Sequence, residues 1–366
     1  MPFSKNFTNF LRAMLIGMMM SGAAGAQENW AIQPMVTGLD TPWAVAPLPD
    51  GSVLVTQKGG TLTLQRGETR IDVAGVPEVA LDGQGGLLDI TLARDFAQTG
   101  TLFLTYAKRQ GSGSGTALAS ARLAKDGRRL EQVTELFAMK PGSTGGRHFG
   151  SRVVEAPDGT LFMTIGDRGD GPAAQDRSRH NGAIIRVNRD GSVPRDNPFV
   201  GQAGILPEIW SYGHRNPQGA GLDLSGNLWT SEHGARGGDE VNLIRKGANY
   251  GWPVISYGRH YSGLKIGEGT AKEGMAQPAL YWDPSIAPSG LMVYSGTLFP
   301  EWKGDIFVGA LKFDYIARLR GDPLREVAQI KTRETSRVRD VVEGPDGAIW
   351  FISESEGTVY RITPND

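Results

Sequence analysis

The stretch EAPDGTLFMTIGD, Glu155–Asp167, sets a Pro-Asp-Gly turn directly before a short strand-like run. Asp-Gly suits a hairpin because glycine accepts positive φ, and the β-branched and aromatic residues that follow suit a pleated, half-buried strand. Variants of the phrase recur as PLPDGSVLVTQKGGTLTL from Pro47, FAQTGTLFLTYA from Phe96, DLSGNLWTSEHG from Asp223, FPEWKGDIFVGALKFDYIARL from Phe299 and EGPDGAIWFISESEGTVYRI from Glu343. Six copies at irregular spacing are too long for a simple up-and-down barrel and match radial units of four short strands. The expected fold is therefore all-β, a six-bladed β-propeller, with uneven spacing absorbed by loops on one face. A two-sheet β-sandwich is the alternative, although it needs no repeat of this period. Trp30–Val36 is strand-like and is expected to complete the last blade with Thr358–Ile362, which removes free sheet edges. The region from Tyr257 to Tyr281 lacks alternation and reads as an insertion loop over one face.

Composition narrows the class. Fifty-one glycines and few helix-like periodic stretches point away from an α-rich fold. Lys5 and Arg12, an apolar run from Ala13 to Met20 and small residues ending in Ala24-Gly25-Ala26 have the layout of a secretory signal peptide over residues 1–26. A membrane anchor is the other reading, but the run falls short of the roughly 18 residues a spanning helix needs. Residues 27–366 then form one exported domain, with the periplasm as the simplest destination. Without cysteine, that domain has no disulfide framework and depends on burial, hydrogen bonds or bound ions. The formal charge of −1 becomes −3 once Lys5 and Arg12 are removed, which gives no electrostatic reason to expect nucleic acid or an acidic membrane as partner.

In a propeller, function gathers at the mouth of the central channel, where side chains from different blades converge. His148 and Asp167 form the first candidate group. A histidine serves as general base when a carboxylate fixes its other ring nitrogen, although Gly-Asp-x-Gly is also an ordinary turn with an Asx hydrogen bond. Arg215, Asn216, Lys312, Arg337 and Arg339 form the second. Arg337 and Arg339 are two apart on a strand-like segment, so both side chains are expected on one face, either as solvent-facing cations or as a clamp on a polyanion. The third is GGDEVNLIRKGANYGWP, with Asp239, Glu240 and Tyr250. Its carboxylates and carbonyls are hard oxygen ligands of the kind calcium prefers, or an acidic loop that pairs with Arg236 or Lys246.

Taken in order, GGRHFGSR, YGHRNPQG, SEHGARGGDEVNLI with ANYGWP, and RVRD resemble the soluble, pyrroloquinoline-quinone (PQQ)-dependent glucose and aldose sugar dehydrogenases. The likeness runs from Leu39 to the VYRI at Val359, without the long insertions of the glucose enzymes. It implies a six-bladed propeller that oxidises C1 of aldose sugars to lactones, with PQQ and Ca2+ as cofactors and an external electron acceptor. By the same resemblance His148 is the base, Asp167 its partner, and hydride passes to quinone C5. Arg215 supplies charge at the developing oxyanion. Gln84, Arg215, Asn216, Lys312, Arg337 and Arg339 match quinone contacts, and Tyr261 lines the cofactor pocket. The carbonyls of Gly234 and Ala235 match ligands of the active-site calcium, while Glu240 and Tyr250 match a second, structural site. Asp283-Pro284-Ser285 departs from the glucose enzymes' Trp-Pro-Thr; Ser285 retains a hydroxyl where the aromatic wall is lost. A monomer is the expected state. A calcium-dependent propeller lactonase or hydrolase, which would need a cage of carboxylates and asparagines, and a non-catalytic binding propeller are the other readings.

Overall fold

Each recurring turn reverses the chain from the innermost to the second strand of a four-stranded antiparallel sheet. In the computed structural model, which describes residues 30–365, six such sheets follow one another along the chain. The expected signal peptide lies outside the described residues. Blade one comprises Pro42–Pro47, Val53–Gln57, Thr61–Arg66 and Thr69–Asp72. Blade two comprises Leu87–Leu92, Thr101–Gln110, Gly113–Leu123 and Leu130–Ala138. Blade three comprises Val153–Glu155, Leu161–Thr164, Ala183–Val187 and Ile209–Tyr212. Blade four comprises Pro217–Leu222, Leu228–Glu232, Asp239–Leu243 and Leu280–Trp282, and blade five Pro288–Val293, Ile306–Ala310, Tyr315–Arg320 and Arg325–Ile330. Blade six takes Val338–Glu343, Ile349–Ser353 and Thr358–Pro364, and its outermost strand is Trp30–Val36, which pairs Ile32 with Ile362. The fold is a six-bladed β-propeller, closed by the pairing of its first and last described strands. Among the described residues no helix is long and apolar enough to cross a membrane.

Neighbouring blades cover both faces of each second strand. This is why Leu102, Phe103 and Leu104, or Phe351 and Ile352, are buried without the polar alternation of a half-exposed strand. The hydroxyl residue near the end of that strand has a repeated task. The inner strand bulges opposite it in blades one, two and four, and a bulge leaves backbone groups without ladder partners. Thr56 Oγ1 accepts from Ala44 N at 3.0 Å and lies 2.6 Å from Leu88 O of blade two. Thr105 bridges Asp89 N and Ser151 O, and Thr164 bridges Arg152 N and Pro217 O. Ser231 Oγ donates to Ser289 O at 2.8 Å. In blade five the position is Gly309, where a Cβ would lie 2.4 Å from Ser289 Oγ; Ser289 itself donates to Val338 O at 2.6 Å instead. At five of the six junctions a hydroxyl thus reaches the backbone of the next blade, while between blades six and one Asp340 accepts from Val45 N.

Beneath the mouth the axis is filled by Arg152. Its Nη1 reaches Asp89 Oδ1 at 2.7 Å and Asp340 Oδ1 at 2.9 Å, its Nε donates to Gln218 O at 3.1 Å, and the guanidinium sits 4.5 Å from the Trp43 ring centre. Asp340 Oδ2 accepts from Val45 N, and Gly290 leaves room for Asp340, since a Cβ there would lie 2.3 Å from its Oδ1. All six blades therefore meet at one ion cluster. Burial pushes the Asp89 carboxyl up to about 6, even against the pull of Arg152, with the charge of Asp340 adding to the rise. Replacing Arg152 by Met should leave two buried carboxylates without a counter-charge and cost about 3–5 kcal/mol. Denaturant unfolding of Arg152→Met measures this, and a loss below about 1 kcal/mol would mean that the carboxylates protonate or rehydrate freely.

Candidate active site

His148 lies in the connection into blade three with a left-handed backbone, φ 54°, a conformation that non-glycine residues adopt only when neighbours impose it. Those neighbours are identifiable. Gln84, from the connection between blades one and two, accepts the His148 N–H at 2.8 Å, and Asn216 Oδ1 accepts from Gly150 N at 3.1 Å just beyond. The ring meets Asp167, at the end of the second strand of blade three, with Nδ1 to Oδ1 at 2.6 Å. With the carboxylate ionised, that bond places the proton on Nδ1 and leaves the Nε2 lone pair for a ligand. Burial lowers the His148 pKa, and Arg215 and Arg147 lower it further against the opposing pull of Asp167. Burial would raise Asp167, but its bonds to His148 and Gly169 N and the charge of Arg215 outweigh it and hold the carboxyl below its usual range. The pair is an ionised acid beside a neutral imidazole.

Two cavities open around this dyad. The first, of about 680 Å³, is walled by Gln84, Arg147, His148, Asp167, Arg215 and Trp252. The second, of about 980 Å³, is lined by His233, Gly234, Asp283, Ser285, Lys312 and Arg337. Ala235 and Tyr261 belong to both, and Tyr261 is 76% exposed at the rim. The irregular segment after Asp239–Leu243 supplies His260, Tyr261 and Ile266, so the insertion expected over one face lies at the mouth.

The second cavity is rich in positive charge. Arg337 is not on the strand, as the spacing suggested; it precedes Val338–Glu343 with φ 49°. Its guanidinium nevertheless converges with that of Arg339 because Glu354 lies between them, taking Arg337 Nε at 2.7 Å and Arg339 Nε on its other oxygen. Arg339 stands behind the wall and donates to Gln218 Oε1 at 3.0 Å. Burial pushes the His233 imidazole well below its normal range, followed by the charges of Arg215, Arg339 and Arg337. His233 Nε2 and Arg215 Nε are buried atoms with no hydrogen-bond partner among the described residues. A cavity with excess cationic charge suits a polyanionic ligand.

Several candidates make contacts that sequence spacing does not reveal. Asn216 is buried and lines neither cavity; it acts on the backbone behind His148. The Ser285 hydroxyl donates to Asp239 Oδ2 at 2.7 Å, and Asp239 Oδ1 accepts Gly234 N, so Asp239 shapes the turn that presents Gly234 and Ala235. Glu240 and Tyr250 do meet, with Glu232, around a third, very small cavity. Burial raises Glu240 to about 8, and the Glu232 charge adds to it, which a cation would relieve. The Tyr250 hydroxyl is already committed to Leu243 O and Arg245 N, leaving its backbone carbonyl for a metal. Arg236 stays exposed on the rim and Lys246 lies over Trp210, so the acidic loop does not take either as an ion-pair partner.

Glu354, Trp252 and His233 were not singled out by sequence reasoning. Glu354 had a signal: it follows the repeated hydroxyl position, as Glu232 does after Ser231 in blade four. Ser211, His214 and Glu232 form a Ser-His-acid chain with contacts of 3.0 and 3.0 Å, but Ser211 and His214 are fully buried and offer no substrate access.

Comparison with known proteins agrees with this architecture. Residues 39–361 match the family model described as glucose / sorbosone dehydrogenase. The aldose sugar dehydrogenase YliI of Escherichia coli is 41% identical over 354 residues, covering 94% of this chain and 95% of that protein. The quinoprotein glucose dehydrogenase B of Acinetobacter calcoaceticus is 26% identical, over 93% and 88%. The apo-form structure of the soluble E. coli aldose sugar dehydrogenase superposes with a TM-score of 0.88 at 39% identity, covering 92% of this chain and 100% of that one. The PQQ-bound aldose sugar dehydrogenase of Streptomyces coelicolor superposes at 0.74 with 26% identity, over 91% and 98%. On the strength of the model match and the E. coli relative, the chain belongs to the glucose/sorbosone dehydrogenase family.

Proposed function

We propose that this protein oxidises the anomeric carbon of aldose sugars to lactones as a PQQ-dependent, calcium-containing enzyme of the periplasm. The observation that carries the reading is the meeting at one mouth of a neutral imidazole, oriented by a buried carboxylate, and cations from separate blades. The quinone bound in the Streptomyces relative supports the cofactor. The residues present fit such a group: a tricarboxylate would find Lys312, Arg337 and Arg215, with Arg339 behind them, and the unpartnered His233 Nε2 and Arg215 Nε. Gln84 and Tyr261 would border it. Gly234 and Ala235 would offer carbonyls to calcium. Among the described residues no three His, Cys, Asp or Glu side chains form a metal cage, so most of its other ligands would come from the quinone and water. Glu240 and the Tyr250 carbonyl would hold the structural calcium. When bound, the quinone supplies a hydride acceptor and the calcium a Lewis acid.

This chain's residues then manage the proton. His148 Nε2 takes the proton of the sugar's anomeric hydroxyl, and Asp167 stabilises the imidazolium through Nδ1–H. Arg215 places a fixed positive charge where negative charge develops on oxygen. Export rests on the layout of residues 1–26, and electrons leave to an external acceptor. The calcium-dependent hydrolase reading has less support: among the described residues no three His, Cys, Asp or Glu side chains form the cage it would need.

Purified protein should gain dye-linked sugar oxidation only when both quinone and calcium are added, and activity without either would overturn the assignment. His148→Ala should cut turnover by roughly 10²- to 10⁴-fold while quinone binding, read by absorbance titration, persists. Because the base works only when neutral and its pKa is lowered, kcat/KM should rise with pH through a midpoint below about 6.5 and be flat above it. A midpoint above that value would count against His148 as the titrating group.

A further inference from the structure

Asp167 has a third partner. Trp252 donates its indole N–H to Asp167 Oδ2 at 2.8 Å, while Oδ1 takes His148 Nδ1 at 2.6 Å and Gly169 N at 2.7 Å. Trp252 belongs to the irregular segment that follows Asp239–Leu243 in blade four, 85 positions from Asp167 in blade three. It is itself anchored: its N–H donates to Gly213 O at 2.9 Å, and its carbonyl accepts from Gln175 Nε2 at 2.7 Å. Gln175 and Asn249 hold each other through paired amide bonds of 3.0 and 2.8 Å. The Arg215 guanidinium lies 5.3 Å from the centre of the Trp252 ring.

From this geometry we propose that Trp252 is a positioning residue that locks the Asp167 carboxylate in the rotation that serves His148, and that the same ring seats Arg215. A carboxylate with donors on one oxygen only can turn about its last bond and weaken the bond to the imidazole. With donors on both oxygens the plane is fixed. Indole suits the post because it has one donor, no acceptor and no charge to draw the Asp167 negative charge away from the imidazole. One side chain on blade four thus sets both the acid that orients the base and the cation beside the reacting oxygen. The link between the base and the sugar reaction rests on the function proposed above.

Trp252→Phe keeps a ring under Arg215 and removes the N–H. The charged groups facing His148, namely Asp167, Arg215 and Arg147, are all retained, with neutral His233 nearby. In the reconstituted enzyme kcat should fall by about 10- to 100-fold, as for other outer-partner losses, with KM little changed. The acid limb of kcat/KM should move to lower pH, because an Asp167 carboxylate free to turn holds the imidazolium less tightly. The second readout needs neither quinone nor calcium. In full-length ligand-free protein, the deshielded His148 Nδ1–H proton resonance, assigned by its loss in Asp167→Asn, should broaden by water exchange in Trp252→Phe. Gln175→Leu, which keeps the indole but frees its anchor, should broaden it in the same sense and by less. A resonance and an acid limb unchanged in Trp252→Phe would overturn the proposal. Should wild-type protein fail to oxidise sugars while the resonance still depends on Trp252, the sugar-oxidation reading fails and the positioning role stands.

Discussion

The structure depends on one costly arrangement, a guanidinium and two carboxylates withdrawn from water on the axis of a ring of sheets. A buried ion cluster contributes little net stability compared with apolar packing, because desolvation offsets most of the Coulomb attraction. Its value is geometric. Hydrophobic contact between blades is non-directional and tolerates sliding, whereas Arg152 must reach Asp89, Asp340 and the Gln218 carbonyl together. That requirement fixes blades two, three, four and six relative to one another, while Trp43 and the bulk-free Gly290 fix the other two. The hydroxyl bonds at the junctions extend the register outward, and the mouth above inherits it.

That inherited rigidity accounts for the electrostatics of the mouth. His148 and Arg337 both hold left-handed backbones, each strained for a residue with a side chain, and each is kept there by a neighbour's carbonyl or carboxylate oxygen: Gln84 for His148, Asp314 for the Arg337 N–H at 2.8 Å. Negative charge is distributed sparingly. Glu354 is shared between two arginines and offsets only one of their charges, so with Lys312 a net positive field remains at the second cavity. The imidazole stays neutral within that field because burial and the nearby guanidiniums both disfavour its protonation.

Most of the fold was legible because the repeat is local. A Pro-Asp-Gly turn and the strand after it specify an inner hairpin without reference to the rest of the chain, and six of them specify the ring. The His148 and Asp167 pairing was legible for a related reason: nineteen residues is the length of one such hairpin, so the two fall at the same end of adjacent segments. What was not legible depended on departures from regular strand. Arg337 and Arg339 were expected on one strand face, yet Arg337 lies outside the strand and Glu354, from the next hairpin, is what draws them together. The Ser285 and Tyr250 hydroxyls carry the right chemistry but are consumed by Asp239 and by Leu243 and Arg245. Trp252 was inaccessible to any period, since an irregular segment delivers it to another blade.

The joining of Trp30–Val36 to Thr358–Pro364 makes the last blade a composite of the first and last described strands. Nearly the whole described chain lies within the loop that this seam closes, so its pairing carries a larger closure entropy than any hairpin within a blade. Without Trp30–Val36, blade six would keep three strands and leave Thr358–Pro364 as an unpaired edge.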